Sequence, residues 1–326
     1  FSSPKAQEVV VIRGTSYLEL LRTDAERLKV VPMCTFNTFC NLRCLLTFRQ
    51  VGTNKDYLVV GADTGRITIL EYVVDANEFR TVHCETYGKS SCRRIVPGQY
   101  LAADPLGRAI MISAVEKQKL VYVMNRDAGG RLTISSPLEA HKSHALVYAT
   151  VGLDVGTENP IFAAIEKDYS DADQDPTGEA AAETYKQLVY YELDLGLNHV
   201  IRKWSQPIAS TALSLLAVPG ERANGPGGVL ILSENWVAYT HQDHPELRTP
   251  IPRRAGQPAS RGTLLTASAM HRQKDVLFYL LQSEYGDLYK VTLDLSEDRT
   301  KVQNINMQVF DTIPSANGLC ITKTGL

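Results

Sequence analysis

Short runs of strand-forming residues, each broken by a tight polar turn, recur along the whole chain. The clearest is residues 56–72, where Val, Ile, Leu and Tyr dominate two arms and Ala-Asp-Thr-Gly at 62–65 supplies the turn. This pattern predicts a β-hairpin. Because an isolated pair of strands buries too little surface to be stable, its recurrence is what indicates the architecture. Five further stretches have the same form: residues 8–22, 99–115, 160–195, 228–240 and 276–295.

Further short strands are predicted between these hairpins, at residues 79–86, 119–124 and 199–204. The repeating unit then holds about four strands in roughly 40 to 70 residues, which is typical of a β-propeller blade. No long helical pattern interrupts the repeat. A β-sandwich is the competing architecture, but a chain of this length would form two sandwiches and no linker divides it. The sequence therefore predicts an all-β fold, a β-propeller.

The length of the chain fits about seven blades of roughly 45 residues. Six hairpins are followed by a seventh strand-forming run at residues 319–322, close to the last residue. These counts predict a seven-bladed propeller whose last blade is incomplete and is completed by another segment. We expect one domain over residues 1–326, truncated at both ends, with an acidic loop insertion at about residues 167–186 and a loop at about residues 253–262.

The amino-acid composition of the chain limits the kinds of function that it can have. Hydrophobic residues make up 44% of the chain and charged residues 21%, with a formal net charge of -2, as in a soluble globular protein. This balance argues against a surface that wraps nucleic acid by charge. No apolar run approaches the ~18 residues of a membrane helix, and we expect an intracellular protein without membrane contact. The six cysteines are expected to be free thiols, because the chain is large and has no secretory signal, and the spacing of Cys34, Cys40 and Cys44 does not suit zinc.

Two groups of charged residues are candidates for partner binding. The first is the acidic insertion, where Asp171, Asp173 and Asp175 have the alternating spacing of a calcium loop; Pro176 stands where such a loop needs Gly, which favours a solvated loop. The second is two arginine pairs, because arginine binds carboxylates through two parallel hydrogen bonds. These pairs are Arg93 with Arg94, and Arg253 with Arg254.

No catalytic, cofactor-binding or metal-binding residue is predicted, because the sequence contains no serine-elbow, zinc-protease or phosphate-loop motif. Some propellers gather catalytic groups from several blades around a central channel. A channel-centred propeller hydrolase therefore stays open as an alternative.

Several long, uncommon stretches carry a more specific signal: residues 55–72, 88–99, 104–127, 132–142, 175–182, 191–202 and 250–254. In these stretches the chain resembles a family of spliceosomal triple-propeller scaffold proteins. The wider family includes damaged-DNA-binding protein one, a ubiquitin-ligase adaptor, and the largest subunit of the cleavage and polyadenylation specificity factor. The sequences of residues 35–43 and 255–262 do not resemble stretches typical of this family.

The resemblance implies the first of three propellers in a nuclear scaffold without catalytic residues or cofactors. It further implies a role in branch-site recognition and spliceosome assembly during pre-mRNA splicing. The partners implied are the HEAT-repeat subunit one and the small subunit five of the splicing factor 3b complex, with RNA contact indirect or peripheral. A ubiquitin-ligase adaptor is the alternative within the same family.

Overall fold

The computed structural model describes residues 1–3, 6–24, 26–27, 29–87, 92, 94–140, 142–156, 158–220, 224–242, 244–258, 260–273 and 276–322. This part of the chain is built of β-strands with one short helix. It divides into two compact units, unit 1 (Phe1–Ile208) and unit 2 (Ala209–Leu326). Each unit is a series of antiparallel sheets, and the strands of each sheet follow one another in the chain.

Unit 1 contains four sheets, which we call blades 1 to 4. Blade 1 consists of β1 (Glu8–Arg13), β2 (Tyr17–Asp24) and β3 (Lys29–Asn37), and blade 2 of β4 (Leu42–Arg49), β5 (Asp56–Ala62), β6 (Arg66–Val73) and β7 (Glu78–Thr86). Blade 3 consists of β8 (Tyr100–Ala103), β9 (Ala109–Ser113), β10 (Lys119–Arg126), β11 (Leu132–Ile134) and β12 (Leu138–Glu139). Blade 4 consists of β13 (Ala145–Gly152), β14 (Ile161–Asp168), β15 (Lys186–Asp194) and β16 (His199–Ile208), and helix α1 (Glu179–Glu183) lies between β14 and β15.

Unit 2 contains blades 5 and 6. Blade 5 consists of β17 (Ala212–Ala217), β18 (Val229–Ser233), β19 (Trp236–Thr240) and β20 (Leu247–Pro250). Blade 6 consists of β21 (Leu265–Gln273), β22 (Val276–Ser283), β23 (Asp287–Leu295) and β24 (Val302–Thr312).

The hairpin predicted at residues 56–72 is β5 and β6 of blade 2, paired with Val59 opposite Ile69. Its turn contains Gly65 at φ +76°, and a Cβ at this position would lie 1.9 Å from the carbonyl oxygen of Tyr87. Only glycine meets both demands, the left-handed backbone and the close approach of another chain segment. The other five predicted hairpins are also present.

Apolar side chains on both faces of the central strands form the cores of unit 1. In β5, Val59 packs in a cluster with Ile110 of blade 3, whereas Leu58 and Val60 pack in a cluster with Leu18 of blade 1. Because side chains alternate between the faces of a strand, a strand between two packed sheets is apolar throughout. This explains why β5 shows no apolar–polar alternation. In unit 2, blades 5 and 6 share a core that includes Leu230, Tyr239, Leu281 and Tyr289.

The prediction of seven blades with an incomplete last one is wrong, since the described chain forms six blades. The seventh run, residues 319–322, is not a strand in the structure; it has strand propensity, but none of the described strands pairs with it. The estimate of roughly 45 residues per blade also fails, because long connections such as residues 169–185 and 251–264 lengthen the repeat.

Candidate partner-binding site

One end of unit 1 gathers the connections between successive blades and the turns at the middle of each blade. We call this end the loop face; it comprises residues 14–16, 38–41, 63–65, 87, 92, 94–99, 114–118, 142–144 and 169–185. Backbone hydrogen bonds join its loops in sequence: Thr38 N to Ser16 O (2.9 Å), Asp63 N to Asn41 O (2.9 Å), Tyr87 N to Gly65 O (3.0 Å), Glu116 N to Arg94 O (2.9 Å) and Tyr169 N to His144 O (2.8 Å).

Arg94 is held on the loop face by a buried carboxylate. Its Nε lies 2.7 Å from Oε1 of Glu116, whose side chain is 5% exposed while that of Arg94 is 61% exposed. The hydroxyl of Tyr169 donates a hydrogen bond of 2.9 Å to Oε2 of the same carboxylate. Burial acts to raise the pKa of Glu116, but the hydrogen bonds from Arg94 and Tyr169 lower it. An exposed arginine with a fixed orientation loses little side-chain entropy when it binds a partner.

Tyr169, which contacts Glu116, belongs to the acidic insertion, so the structure brings Arg94 and this loop together. Asp171 and Asp173 are exposed. Asp175 instead stabilises its own loop, because its Oδ1 accepts hydrogen bonds from the Thr177 amide (2.8 Å) and hydroxyl (2.6 Å) and its Oδ2 accepts one from the Ala180 amide (2.8 Å). No group of three or more His, Cys, Asp or Glu side chains suited to a metal ion occurs among the residues with described positions.

In unit 2, Arg254 of the second arginine pair lies near a buried carboxylate. Arg254 Nε lies 3.8 Å from Oδ1 of Asp287, which is buried at the start of β23. Thr312 donates a hydrogen bond of 2.9 Å to the same oxygen. Arg253 is exposed on the connection between β20 and β21. Arg93, the remaining candidate, lies outside the described residues.

The residues that position the two arginines were missed by sequence reasoning. Glu116 is 22 positions from Arg94 (116 − 94), and Tyr169 and Asp287 belong to other blades. No local motif links an arginine to a carboxylate in the turn of another strand pair. The one available signal is an acidic residue in or beside a predicted turn, and most such residues are solvated.

A cavity of about 390 Å³ lies in unit 2 at the turn between β23 and β24. Its lining combines the apolar side chains of Leu277, Leu293 and Leu295 with the charged side chains of Arg272, Asp294, Glu297 and Arg299. Ser296, which also lines it, donates its hydroxyl hydrogen to Asp298. Among the described residues that line this cavity there is no histidine that could act as a base for Ser296, as a serine hydrolase requires.

The described part of the chain contains no helix that is both long enough and apolar enough to cross a membrane. Its six blades are antiparallel sheets, and the side chains of Arg94 and Arg254 are exposed on the connections between blades. These features define an all-β propeller protein with charged side chains anchored on its loops.

The chain belongs to the family described as RSE1/DDB1/CPSF1 first beta-propeller, whose model matches residues 1–326. This confirms the family that the uncommon sequence stretches indicate. The chain is similar to spliceosome-associated protein 130 A of Arabidopsis thaliana, with 57% identity over 325 residues that cover 100% of this chain and 26% of the relative. It is 55% identical to splicing factor 3B subunit 3 of Danio rerio and 51% identical to pre-mRNA-splicing factor rse1 of Emericella nidulans, in each case over 100% of this chain and 27% of the relative. The chain thus spans about a quarter of the length of the curated relatives it matches.

Proposed function

We propose that the protein is a non-enzymatic scaffold subunit of a splicing factor 3b complex, which acts in the nucleus in branch-site recognition and spliceosome assembly. The observation that carries this proposal is the anchored arginine of the loop face. Arg94 is fixed by the buried Glu116 and exposed beside an acidic loop, an arrangement suited to binding a charged protein surface. The names of the relatives, which are splicing factors, give this surface its context.

The proposed partners are the HEAT-repeat subunit one and the small subunit five of that complex. Arg94 and Arg254 would bind carboxylates of these partners, and Asp171 and Asp173 would bind basic side chains. We assign Asp175 a role inside its own loop, because the contacts of both its oxygens are local. In this proposal the partners contact the RNA, and the contact of this protein with RNA is indirect or peripheral.

The test is recovery of these subunits from nuclear extract with the natural full-length protein, tagged at one terminus. We expect both subunits to be recovered, and we expect Arg94→Ala to reduce recovery about fivefold because it removes an oriented charge from the interface. Arg131→Ala is the matched control: Arg131 is 86% exposed and paired with Asp127, but it lies at the opposite ends of the strands. A thermal melt of each variant separates loss of binding from loss of folding.

Two outcomes would contradict the proposal. Failure of the wild-type protein to recover splicing factor 3b subunits would exclude it. Recovery of a cullin in their place would indicate the ubiquitin-ligase adaptor function of the wider family.

A further inference from the structure

Phe39, on the loop between blades 1 and 2, is the most exposed large apolar side chain in the described chain. Its exposed fraction is 85%, compared with 76% for the next, Leu197. Single exposed apolar residues are common on protein surfaces, so exposure alone indicates little. The backbone of Phe39 is a second and independent observation. Its φ is +55°, in the left-handed region that a bulky side chain rarely adopts.

The loop that carries Phe39 is fixed on both sides. The amide and hydroxyl of Thr38 donate to the carbonyl oxygen of Ser16 at 2.9 and 2.8 Å. The buried thiol of Cys40 donates to the carbonyl oxygen of Thr38 at 3.0 Å, and the Phe39 amide donates to Oδ1 of Asn37 at 2.9 Å. These bonds hold the strained residue in place. The loop therefore presents the ring to solvent, and with 85% of the side chain exposed, packing against the described residues of unit 1 compensates little for its backbone conformation.

An arginine lies beside the loop that carries this ring. The guanidinium of Arg66, an exposed residue, is 3.8 Å from the sulfur of Cys40. Two other arginines, at the end of β1 and the start of β4, are each paired with a carboxylate, Arg13 with Glu19 at 3.0 Å and Arg43 with Asp63 at 3.3 Å. Three arginines and two carboxylates leave a net charge of +1 in this group.

We propose that Phe39 is the anchor by which the loop face binds its protein partner, and that it inserts into an apolar pocket bordered by carboxylates. An aromatic ring held in one orientation buries a large area at low entropic cost, which is the property of an interface hot spot. Arg66 then meets the acidic border of the pocket. The inference rests on the proposed function and names the contact through which that function is carried out.

The experiment measures binding of the full-length protein to the copurified subunits one and five by biolayer interferometry. Phe39→Asn should weaken the affinity by about 10- to 100-fold, since it removes a hot-spot ring. Because Asn tolerates a positive φ, the same variant should keep the melting temperature of the wild type or raise it by about 2 °C. Phe39→Tyr should retain most of the affinity. Arg66→Glu should weaken binding about fivefold, with a smaller effect at high salt.

Leu197→Asn is the matched control, because Leu197 is similarly exposed but lies in the turn between β15 and β16, at the opposite end of the strands. Its affinity should equal that of the wild type. Equal binding by wild type and Phe39→Asn would overturn the inference and leave the proposed function intact, whereas absence of binding by the wild type would overturn both. A fall of several degrees in the melting temperature of Phe39→Asn would assign Phe39 a structural role. Loss of binding to a labelled uridine oligonucleotide, with protein binding retained, would assign the ring to RNA.

Discussion

The charged side chain of Lys119 is buried between blades 3 and 4. Its ammonium group is hydrogen bonded to the Glu166 carboxylate and donates to the Tyr191 hydroxyl at 3.2 Å, and that hydroxyl donates to Glu166 at 2.8 Å. All three residues are buried. Burial lowers the pKa of Lys119, and the Glu166 carboxylate opposes this in part. Neither charge would be tolerated in this position without the other.

We therefore expect Lys119→Met to reduce the free energy of unfolding by about 3–5 kcal/mol, because it leaves the Glu166 carboxylate buried and unpaired. The double variant Lys119→Met/Glu166→Leu should recover most of this loss. Urea denaturation followed by tryptophan fluorescence measures both. The control is Lys55→Met, which breaks the more exposed pair of Lys55 with Glu71 and should cost less than about 1 kcal/mol. Equal losses in the two single variants would contradict the prediction.

Asp168, at the end of β14, should make the stability of the protein depend on pH. Burial acts to raise the pKa of Asp168, but hydrogen bonds from Lys142 (2.6 Å) and Ser170 (2.7 Å) lower it from its ordinary value of 3.8 to about 2. A lowered folded-state pKa stabilises the protein above pH 3.8, and this stabilisation is lost as the pH falls toward 2. We expect Asp168→Asn to cost about 1 kcal/mol at pH 7, since solvent screens the partly exposed pair. Measured by urea denaturation, the loss of unfolding free energy caused by Asp168→Asn should vanish near pH 2. An equal loss at pH 7 and pH 2 would show that the charge of Asp168 does not stabilise the protein.

At the scale of elements, α1 depends on a residue that precedes it. The helix has five residues, none of them buried, and its N-cap Gly178 makes no side-chain hydrogen bond. Oδ2 of Asp175 accepts from the Ala180 amide in its place. Asp175→Ala should therefore increase amide hydrogen exchange at residues 177–184 about fivefold, because a side-chain cap is lost. Asp173→Ala is the control and should leave exchange unchanged, since only its backbone amide takes part in the loop's described hydrogen bonds. Similar exchange in both variants would refute the capping role.

The elements differ in how far the sequence could predict them. The hairpin of β5 and β6 was predictable because its turn needs Gly65 and its arms are strongly strand-forming. The contact between Arg94 and Glu116 was not, since it depends on which loops meet at one end of the unit. Phe39 gave no signal either, because its exposure and its positive φ depend on the bonds of Thr38 to Ser16 in another loop as well as on bonds within residues 37–40. Local chemistry determines hairpins, whereas the candidate site is made by contacts distant in sequence.

At the scale of the whole molecule, the repeating blade was predictable from the sequence, but the number of blades was not. Counting hairpins gave six, which is the number of blades observed in the described residues. Dividing the length by a typical blade size and adding residues 319–322 as a further strand gave seven. A strand needs neighbours to satisfy its backbone groups, so strand propensity alone could not predict that residues 319–322 remain outside the sheets.

The charge of the whole chain leads to a prediction about RNA. With a formal net charge of -2, the chain has no excess of cations with which to replace the counterions of a phosphate backbone. We expect binding to a labelled 20-nucleotide uridine RNA to be weaker than about 100 µM at physiological salt, and the slope of log affinity against log salt to be shallower than about -1.5, which corresponds to two phosphates or fewer. Fluorescence anisotropy between 50 and 200 mM salt measures both. The variant Asp171→Lys/Asp173→Lys replaces two negative charges of the exposed insertion with two positive ones, which raises the net charge by 4, and should steepen the slope. Micromolar affinity with a slope of about -3 in the wild type would show that this chain contacts RNA directly.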